Sequence, residues 1–107
     1  MPADARAVYE SIALDLSSES QAVAAKMFGM PCLKIRGKAF AGFHQDAMAF
    51  KLDGEAHAQA LALAGAHLFD PSGMGRPMKQ WVQVPAEHGS QWGRLGRQAL
   101  DYVRQAG

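Results

Sequence analysis

A chain of 107 residues has the usual size of one domain, and its 49% hydrophobic and 20% charged residues are typical of a globular protein rather than a disordered one. Its formal net charge of +1 excludes a strong overall field for nucleic acid, anionic lipid or acidic substrates, so any such binding must depend on a local patch. We expect a single domain over residues 1–107.

Cysteine usage and the N-terminus together indicate the cytoplasm. The one cysteine, Cys32, has no second cysteine for a disulfide within the chain, which suits a reducing compartment. No cationic run precedes an apolar one at the N-terminus, and no apolar stretch approaches the roughly 20 residues that span a bilayer. We therefore expect a soluble, cytoplasmic protein that does not associate with membranes.

The N-terminal segment predicts a first helix. Asp4 is suited to the N-cap, where a negative charge is favourable. Val8, Ile12 and Leu16 recur every four residues, which places them on one helical face. The polar cluster over residues 17–20 is typical of a loop and predicts that the helix ends there.

Residues 23–52 change to the two-residue period of strands. Leu33 and Ile35 alternate with two cations, as on a half-buried strand. Lys34 and Arg36 are therefore predicted to share the solvent-exposed face of that strand. Further strands over residues 39–43 and 47–52 are separated by turns at 37–38 and 45–46, which predicts an antiparallel meander.

The second half predicts a helix, a strand and a last helix. Asp53 is placed to cap a helix over residues 54–64, and Gly65 suits a left-handed residue after it. Residues 78–84 predict a strand that ends at Pro85, and residues 90–105 predict a helix. The apolar stripe of that helix comprises Trp92, Leu95, Ala99 and Tyr102 or Val103.

The order of elements predicts the fold class. It reads as one helix, three or four strands, a helix, one or two strands, and a helix. This order is typical of an α+β fold, a two-layer domain in which an antiparallel meander sheet is flanked by helices. The aromatic residues Phe40, Phe43 and Phe50 are predicted to lie in the core.

Four short motifs in the central stretch resemble those of the TfoX N-terminal domain family. They begin at Lys26-Met27-Phe28-Gly29 and continue through Gly37-Lys38-Ala39-Phe40-Ala41 and Ala49-Phe50-Lys51-Leu52-Asp53 to the segment from Pro77 to Pro85. Their order and spacing cover about residues 23–105. The motif residues to which the resemblance gives a structural role are Met27, Phe28, Gly29, Gly37, Phe40, Lys51, Pro77, Met78, Trp81 and Pro85.

The resemblance also has departures and implications. Met30-Pro31-Cys32 stands where the family usually has a second glycine and an aromatic strand, and this variant is more distantly similar to the small YjbR-like and YdhG-like domains. The resemblance implies a fold similar to that of secretion chaperones and a homodimer. It does not imply competence regulation, because it concerns the N-terminal domain of those regulators only.

No arrangement of reactive side chains predicts catalysis. His44, His57, His67 and His88 show no three- or four-residue pairing of the kind that zinc sites use. Cys32 is predicted to be a buried core residue rather than a nucleophile. Gly73-Met74-Gly75-Arg76 lacks the strand and helix that frame a phosphate loop. We therefore expect no catalytic residues, no metal and no cofactor, and hence no enzyme.

Two features of the sequence indicate a candidate interaction surface. Residues 26–38 contain four cations and no acid, which predicts either a cationic patch or a solvated strand that resists edge pairing. Four methionines are suited either to an adaptable apolar surface or to the core: Met27, Met30, Met74 and Met78. The candidate interaction surface comprises Lys26, Lys34, Arg36, Lys38, Met74 and Arg76.

The sequence favours a binding protein over an enzyme. The leading interpretation is a small non-catalytic regulatory or protein-interaction domain that forms a homodimer and binds a further, unidentified protein. The alternative is an accessory nucleic-acid-binding domain in transcription regulation, which would bind nucleic acid weakly through the cationic patch. An enzyme or metal-handling protein with an unrecognised site is the third interpretation.

Overall fold

The computed structural model describes residues 4–27, 29–70, 75 and 77–106, and these form an α+β domain. The elements are α1 (Ala5–Glu19), β1 (Val23–Met27), β2 (Met30–Ile35), β3 (Lys38–His44), β4 (Ala47–Lys51), α2 (Gly54–Leu61), β5 (His67–Phe69), β6 (Met78–Pro85), a 3-10 turn (Ala86–His88) and α3 (Gly89–Ala106). The predicted fold class is confirmed. None of the described helices has both the length and the apolar character needed to cross a membrane.

The described strands form one six-stranded sheet in the order β1-β2-β3-β4-β6-β5, and each neighbouring pair is antiparallel. The first four strands follow one another as the predicted meander. β6 then pairs with β4, which leaves β5 at one edge of the sheet and β1 at the other. With the three-residue β5, two strands lie between α2 and α3, within the predicted one or two, although no sequence pattern indicated a strand at residues 67–69.

All three helices pack on one face of this sheet. Leu33, Ala41 and Phe50 lie directly opposite one another across β2, β3 and β4, so their side chains share a face. They belong to one buried cluster with residues of α1, α2 and α3, including Leu16 and Trp92. This helix-covered face therefore contains the main core of a two-layer domain.

A bulge in β3 places two successive residues in that core. Leu33 pairs with Ala41, but Lys34 pairs with Ala39, so Phe40 is an extra residue on β3. Both Phe40 and Ala41 are fully buried in the main cluster. The bulge therefore lets both side chains point toward the helices, where strict alternation would send one to the opposite face.

The first helix is longer than its sequence predicts. It continues through the serine cluster to Glu19, because the serine hydroxyls bond back to the helix. Ser17 Oγ donates to the carbonyl of Ala13 at 2.8 Å, and Ser18 Oγ donates to the carbonyl of Asp15 at 3.0 Å. The helix therefore ends within this cluster, as predicted, but residues 17–19 are helical and do not form the predicted loop.

The helix caps differ in detail from their prediction. Asp4 and Asp53 occupy the predicted N-cap positions, but neither side chain makes a capping hydrogen bond. α2 ends at Leu61, three residues before its predicted end. Gly65 has a φ of +81°, so the prediction of a left-handed residue after this helix is confirmed.

Two hairpin turns have left-handed residues at both central positions. Arg36 and Gly37 have φ values of 53° and 79°, and Gln45 and Asp46 have values of 51° and 61°. Each pair joins strands directly, which is the geometry of a type I′ turn. Asn-Gly is the favoured sequence of such a turn, so Gln45 and Asp46 both carry a steric penalty.

We expect the double variant Gln45→Asn/Asp46→Gly to be more stable than the natural chain. A left-handed residue other than glycine is penalised by about 1–2 kcal/mol, and glycine recovers this at a backbone-entropy cost of about 0.5–1 kcal/mol. The net gain should be about 0.5–1 kcal/mol, visible as a higher Tm in differential scanning calorimetry. Gly37→Ala should lower Tm, and an unchanged or lower Tm in the double variant would contradict the turn geometry.

Candidate functional site

The sheet face opposite the described helices carries a second apolar cluster. We define this helix-free face by Met30, Cys32, Gly42, Ala49 and Trp81. The strand register places these residues on the side of the sheet opposite the helix-covered face. Its buried cluster comprises Met30, Ala49, Phe69 and Trp81, and the partly buried Met27, Ala39 and Met78 pack against it. The domain therefore buries apolar groups on both faces of its sheet.

Aromatic contacts hold this second cluster together. The ring of Phe69 lies 6.1 Å from that of Trp81 and 5.5 Å from the imidazole of His44, the latter in an edge-on arrangement. Phe69 is fully buried and Trp81 is 5% exposed. These rings consequently act as packing groups and do not offer an open face for stacking.

Met30 occupies the space left by a glycine. A Cβ built at Gly42 would lie only 2.5 Å from Met30 Cε and 3.3 Å from the carbonyl oxygen of Pro31. The neighbouring Cys32 is fully buried, and this burial raises the pKa of its thiol. A thiol held in its neutral form is a poor nucleophile, and its burial agrees with the core position predicted for Cys32.

The methionines divide between core and surface. Met27, Met30 and Met78 come together in the cluster of the helix-free face, where Met30 is buried and the other two are half-buried. These three side chains therefore follow the core interpretation, and an adaptable apolar surface stays a prediction. Met74 lies outside the described residues, as do Arg76 and the motif residue Phe28.

β1 is the terminal strand of the described sheet and is largely exposed. Val23, Ala25 and Met27 pair with Lys34, Cys32 and Met30 respectively, so these three residues lie on the helix-free face. We call them the edge strip: Val23, Ala25 and Met27. Val23 is 56% exposed, and Ala25 and Met27 are half-buried. The edge strip thus extends the apolar cluster to the rim of the sheet.

The backbone of β1 also presents hydrogen-bonding groups outward. Lys26 pairs with Pro31, which has no N–H to donate. Antiparallel ladders alternate between pairs that exchange hydrogen bonds and pairs that do not, and proline fits the second kind. The N–H and C=O groups of Lys26 and, two residues earlier, of Ala24 therefore point away from β2, toward the free edge.

The predicted cationic residues do not form one patch. Lys34 is half-buried on the helix-free face, whereas Lys26 is exposed on β1. Arg36 lies in the turn after β2 with a φ of 53°, so the prediction that it shares a strand face with Lys34 was wrong. Lys38 begins β3 opposite Ile35, on the side of the helices. The left-handed turn reverses the chain before Arg36 can continue the alternation.

The structure reveals a different segregation of charge. Every lysine of the chain lies in a described strand, whereas those strands contain no aspartate or glutamate. The carboxylates lie in helices, at caps, in turns and, for Asp70, directly after β5. The five lysines of the sheet are Lys26, Lys34, Lys38, Lys51 and Lys79. Sequence reasoning missed Lys51 and Lys79 because they lie outside the acid-free run of residues 26–38.

Two histidines contact backbone carbonyl groups of distant segments. His57 Nε2 lies 2.8 Å from the carbonyl oxygen of Lys79, and His88 Nε2 lies 2.8 Å from that of Ala64. Within the described ranges, no group of three or more histidine, cysteine or carboxylate side chains is placed to hold a metal ion. These contacts secure α2 and the 3-10 turn to neighbouring segments.

A groove of about 420 Å³ runs between α1 and α3. The residues that line it have small or apolar side chains, and two of them are glycines of α3. It is lined by Ala7, Val8, Ser11, Ile12, Gly89, Ser90 and Gly93. A neighbouring depression is bounded by the ion pair of Arg97 and Glu19. The groove itself brings no titratable group into reach of a substrate.

Comparison with known proteins finds a family match over a stretch of the chain that contains the whole described sheet, including β1. Residues 15–103 match the model of the TfoX N-terminal domain family. The chain belongs to this family. The match runs from the second half of α1 to the last turn of α3, and the resemblance inferred from the four motifs is confirmed. No curated protein and no solved structure matches the chain.

The motif residues of the TfoX N-terminal domain lie mainly at turns and strand ends. Gly29 and Gly37 have φ values of 76° and 79° in the turns before β2 and β3. Lys51 pairs with Trp81 across β4 and β6. Pro77 precedes β6, and Met78 and Pro85 are its first and last residues. The motifs of this family therefore coincide with positions that set the path of the sheet.

Proposed function

We propose that this TfoX N-terminal domain is a non-catalytic regulatory domain that binds a protein through the free edge of β1 and the edge strip. The observation that carries the proposal is the coincidence of two features on one strand. β1 presents outward N–H and C=O groups, and Val23, Ala25 and Met27 offer an apolar strip beside them. Addition of a strand to an exposed sheet edge uses both kinds of contact.

The limited edge protection on β1 supports this proposal. Natural sheets usually protect an edge with several devices: short strands, lysine, proline, bulges or inward-pointing charges. β1 pairs with β2 in continuous register, and Lys26 is the only charged residue among its five residues. The opposite edge, β5, is a strand of three residues. Binding through a sheet edge needs no reactive side chain, which agrees with a role other than catalysis.

We expect the variant Ala24→Pro to lose its protein partner while remaining folded. Because the N–H of Ala24 points outward, proline there should remove no hydrogen bond between β1 and β2 but should block an added strand. The measurement is affinity capture from the native host with identification by mass spectrometry. A protein enriched by the natural chain should fall at least tenfold with the variant.

A matched control separates the edge from general damage. Leu61→Ser changes a residue that is 37% exposed on α2, which packs against β6 near the opposite edge. This control should capture the same protein as the natural chain. Equal capture by Ala24→Pro and the natural chain would show that β1 is not the binding site.

Nucleic-acid binding is the second candidate function, and the segregation of lysines onto the sheet favours it. Lys34 and Lys51 lie on the helix-free face, within strands that contain no acid. Because the aromatic rings there are buried, base stacking would not add to these contacts. This candidate therefore predicts weak binding governed by phosphate contacts.

We expect no DNA or RNA complex tighter than about 1 μM at physiological salt, because a few phosphate contacts give nonspecific dissociation constants of about 10⁻⁴ to 10⁻⁶ M. Binding should weaken with salt at a log–log slope of roughly −0.9 per contact. Fluorescence anisotropy with mixed single- and double-stranded oligonucleotides measures both quantities. A nanomolar complex that is lost in Lys34→Ala/Lys51→Ala would make nucleic-acid binding the leading function.

A further inference from the structure

We infer that the strand added to β1 is β1 of a second copy of this chain, related by a two-fold axis that passes beside Ala25. This inference rests on the proposed function and names the partner of the same edge. It predicts antiparallel pairing in which Ala25 faces Ala25 of the second copy and Ala24 faces Lys26. The two six-stranded sheets would then join into one continuous sheet.

The hydrogen-bonding pattern selects this register. The outward N–H and C=O groups of β1 belong to Ala24 and Lys26, so a partner strand must exchange hydrogen bonds with these two residues. In the register centred on Ala25, Ala24 of each copy lies opposite Lys26 of the other. The two-fold axis thus generates two pairs, and each pair exchanges two N–H···O bonds.

Charge and burial disfavour the neighbouring registers. Centring the pair on Lys26 would place two ammonium groups directly opposite one another, which is destabilising. Centring it on Ala24 would require Lys26 to pair with Ala22, which is only 3% exposed and packs in the main core. The register centred on Ala25 avoids both conflicts and uses every residue of β1.

The side chains of the edge strip complement themselves in this register. On the helix-free face, Val23 of one copy lies opposite Met27 of the other, with the two Ala25 side chains between them. The pairing would cover Val23, which is 56% exposed in the single chain and is one of three exposed large hydrophobic residues in the described part. The apolar strips of the two copies would form one band, continuous at both ends with Met30.

The small size of this contact predicts weak association. Only five residues of each strand take part, whereas stable interfaces bury about 1,200–2,000 Å² in total. We therefore expect a dissociation constant in the micromolar range. Sedimentation equilibrium of the complete chain at increasing concentration should show a weight-average mass rising from that of one chain toward that of two.

The variant Ala24→Pro tests the edge directly. It should keep the mass of a single chain at the highest concentration, with an unchanged far-ultraviolet circular dichroism spectrum, whereas Leu61→Ser should dimerise like the natural chain. A single-chain mass for the natural protein at high micromolar concentration would overturn the inference. A dimer that persists undiminished in the folded Ala24→Pro variant would overturn it as well, because another surface would then be responsible.

Cross-linking tests the register without relying on proline. Ala25 lies opposite Cys32 within the chain, so Ala25→Cys is made together with Cys32→Ala. Two cysteines at position 25 would face each other in a pair without hydrogen bonds, where Cα atoms are about 4.5 Å apart and within disulfide range. Mild oxidation should give a covalent dimer on a non-reducing gel.

The control for register is Ala24→Cys in the same Cys32→Ala background. Position 24 faces position 26 of the second copy, so this variant should cross-link at least tenfold less. Preferential cross-linking at position 24 would overturn the register, and none at either position would overturn the two-fold pairing. One combination of results would contradict this inference and leave the proposed function standing. In it, the natural chain is monomeric and captures a different protein, and Ala24→Pro loses that protein.

Discussion

Phe50→Ala is expected to lower the free energy of unfolding by about 3–5 kcal/mol, and Phe40→Ala by a similar amount. Both side chains are fully buried in the main cluster, on the adjacent strands β4 and β3. Phe50 also lies close to α3, since its Cε1 atom is 3.8 Å from the position of a Cβ built on Gly96. Truncation would therefore leave a cavity between the sheet and the helices, which the rigid neighbours fill only in part.

Urea titration followed by circular dichroism measures this loss. Leu14→Ala is the matched control, because Leu14 is 69% exposed on α1 and its truncation should change the free energy of unfolding by less than about 0.5 kcal/mol. Losses below about 1 kcal/mol for both phenylalanine variants would contradict the assigned strand facing. The bulge makes Phe40 the more informative of the two, since strict alternation in β3 would not place both Phe40 and Ala41 in the main cluster.

Local patterns were sufficient to predict most of the elements. The two-residue period around Leu33 and the four-residue period around Ile12 arise from residues that are neighbours along the chain, so they are visible without the structure. The turn at residues 45–46 and the left-handed Gly65 follow equally local rules. The helical state of residues 17–19 was not predicted, because serine hydroxyls can bond back to the carbonyls of Ala13 and Asp15 as well as form a loop.

The candidate site was harder to predict because it depends on contacts between distant segments. That β1 is an edge follows from the strand order, in which β6 pairs with β4 and the sheet does not close on β1. The facing of Lys38 depends on the bulge at Phe40, which no local pattern specifies. Sequence reasoning identified Met27 and Met30 as surface or core candidates, but only the register shows how they adjoin Val23 and Ala25.

Alkaline pH is expected to destabilise the fold through Tyr9. Burial of the phenol raises the pKa of Tyr9 to about 12, and the nearby Cys32 acts in the same direction. Because the pKa of Tyr9 is higher in the folded chain than the ordinary value of 10.0, the stabilisation is complete below pH 10 and is lost as pH rises toward 12. At 1.36 kcal/mol per pKa unit, the loss should approach about 2–3 kcal/mol.

The variant Tyr9→Phe isolates this effect, because phenylalanine keeps the ring that packs 5.4 Å from that of Phe43 and removes the titrating hydroxyl. Urea titrations at pH 8 and at successive values toward pH 12 should show a smaller loss of unfolding free energy in Tyr9→Phe than in the natural chain. Cys32→Ala should also reduce the alkaline loss, because it removes both the raised thiol pKa and the contribution of Cys32 to the pKa of Tyr9. Identical alkaline profiles for Tyr9→Phe and the natural chain would show that the phenol of Tyr9 is not held in the core in its neutral form.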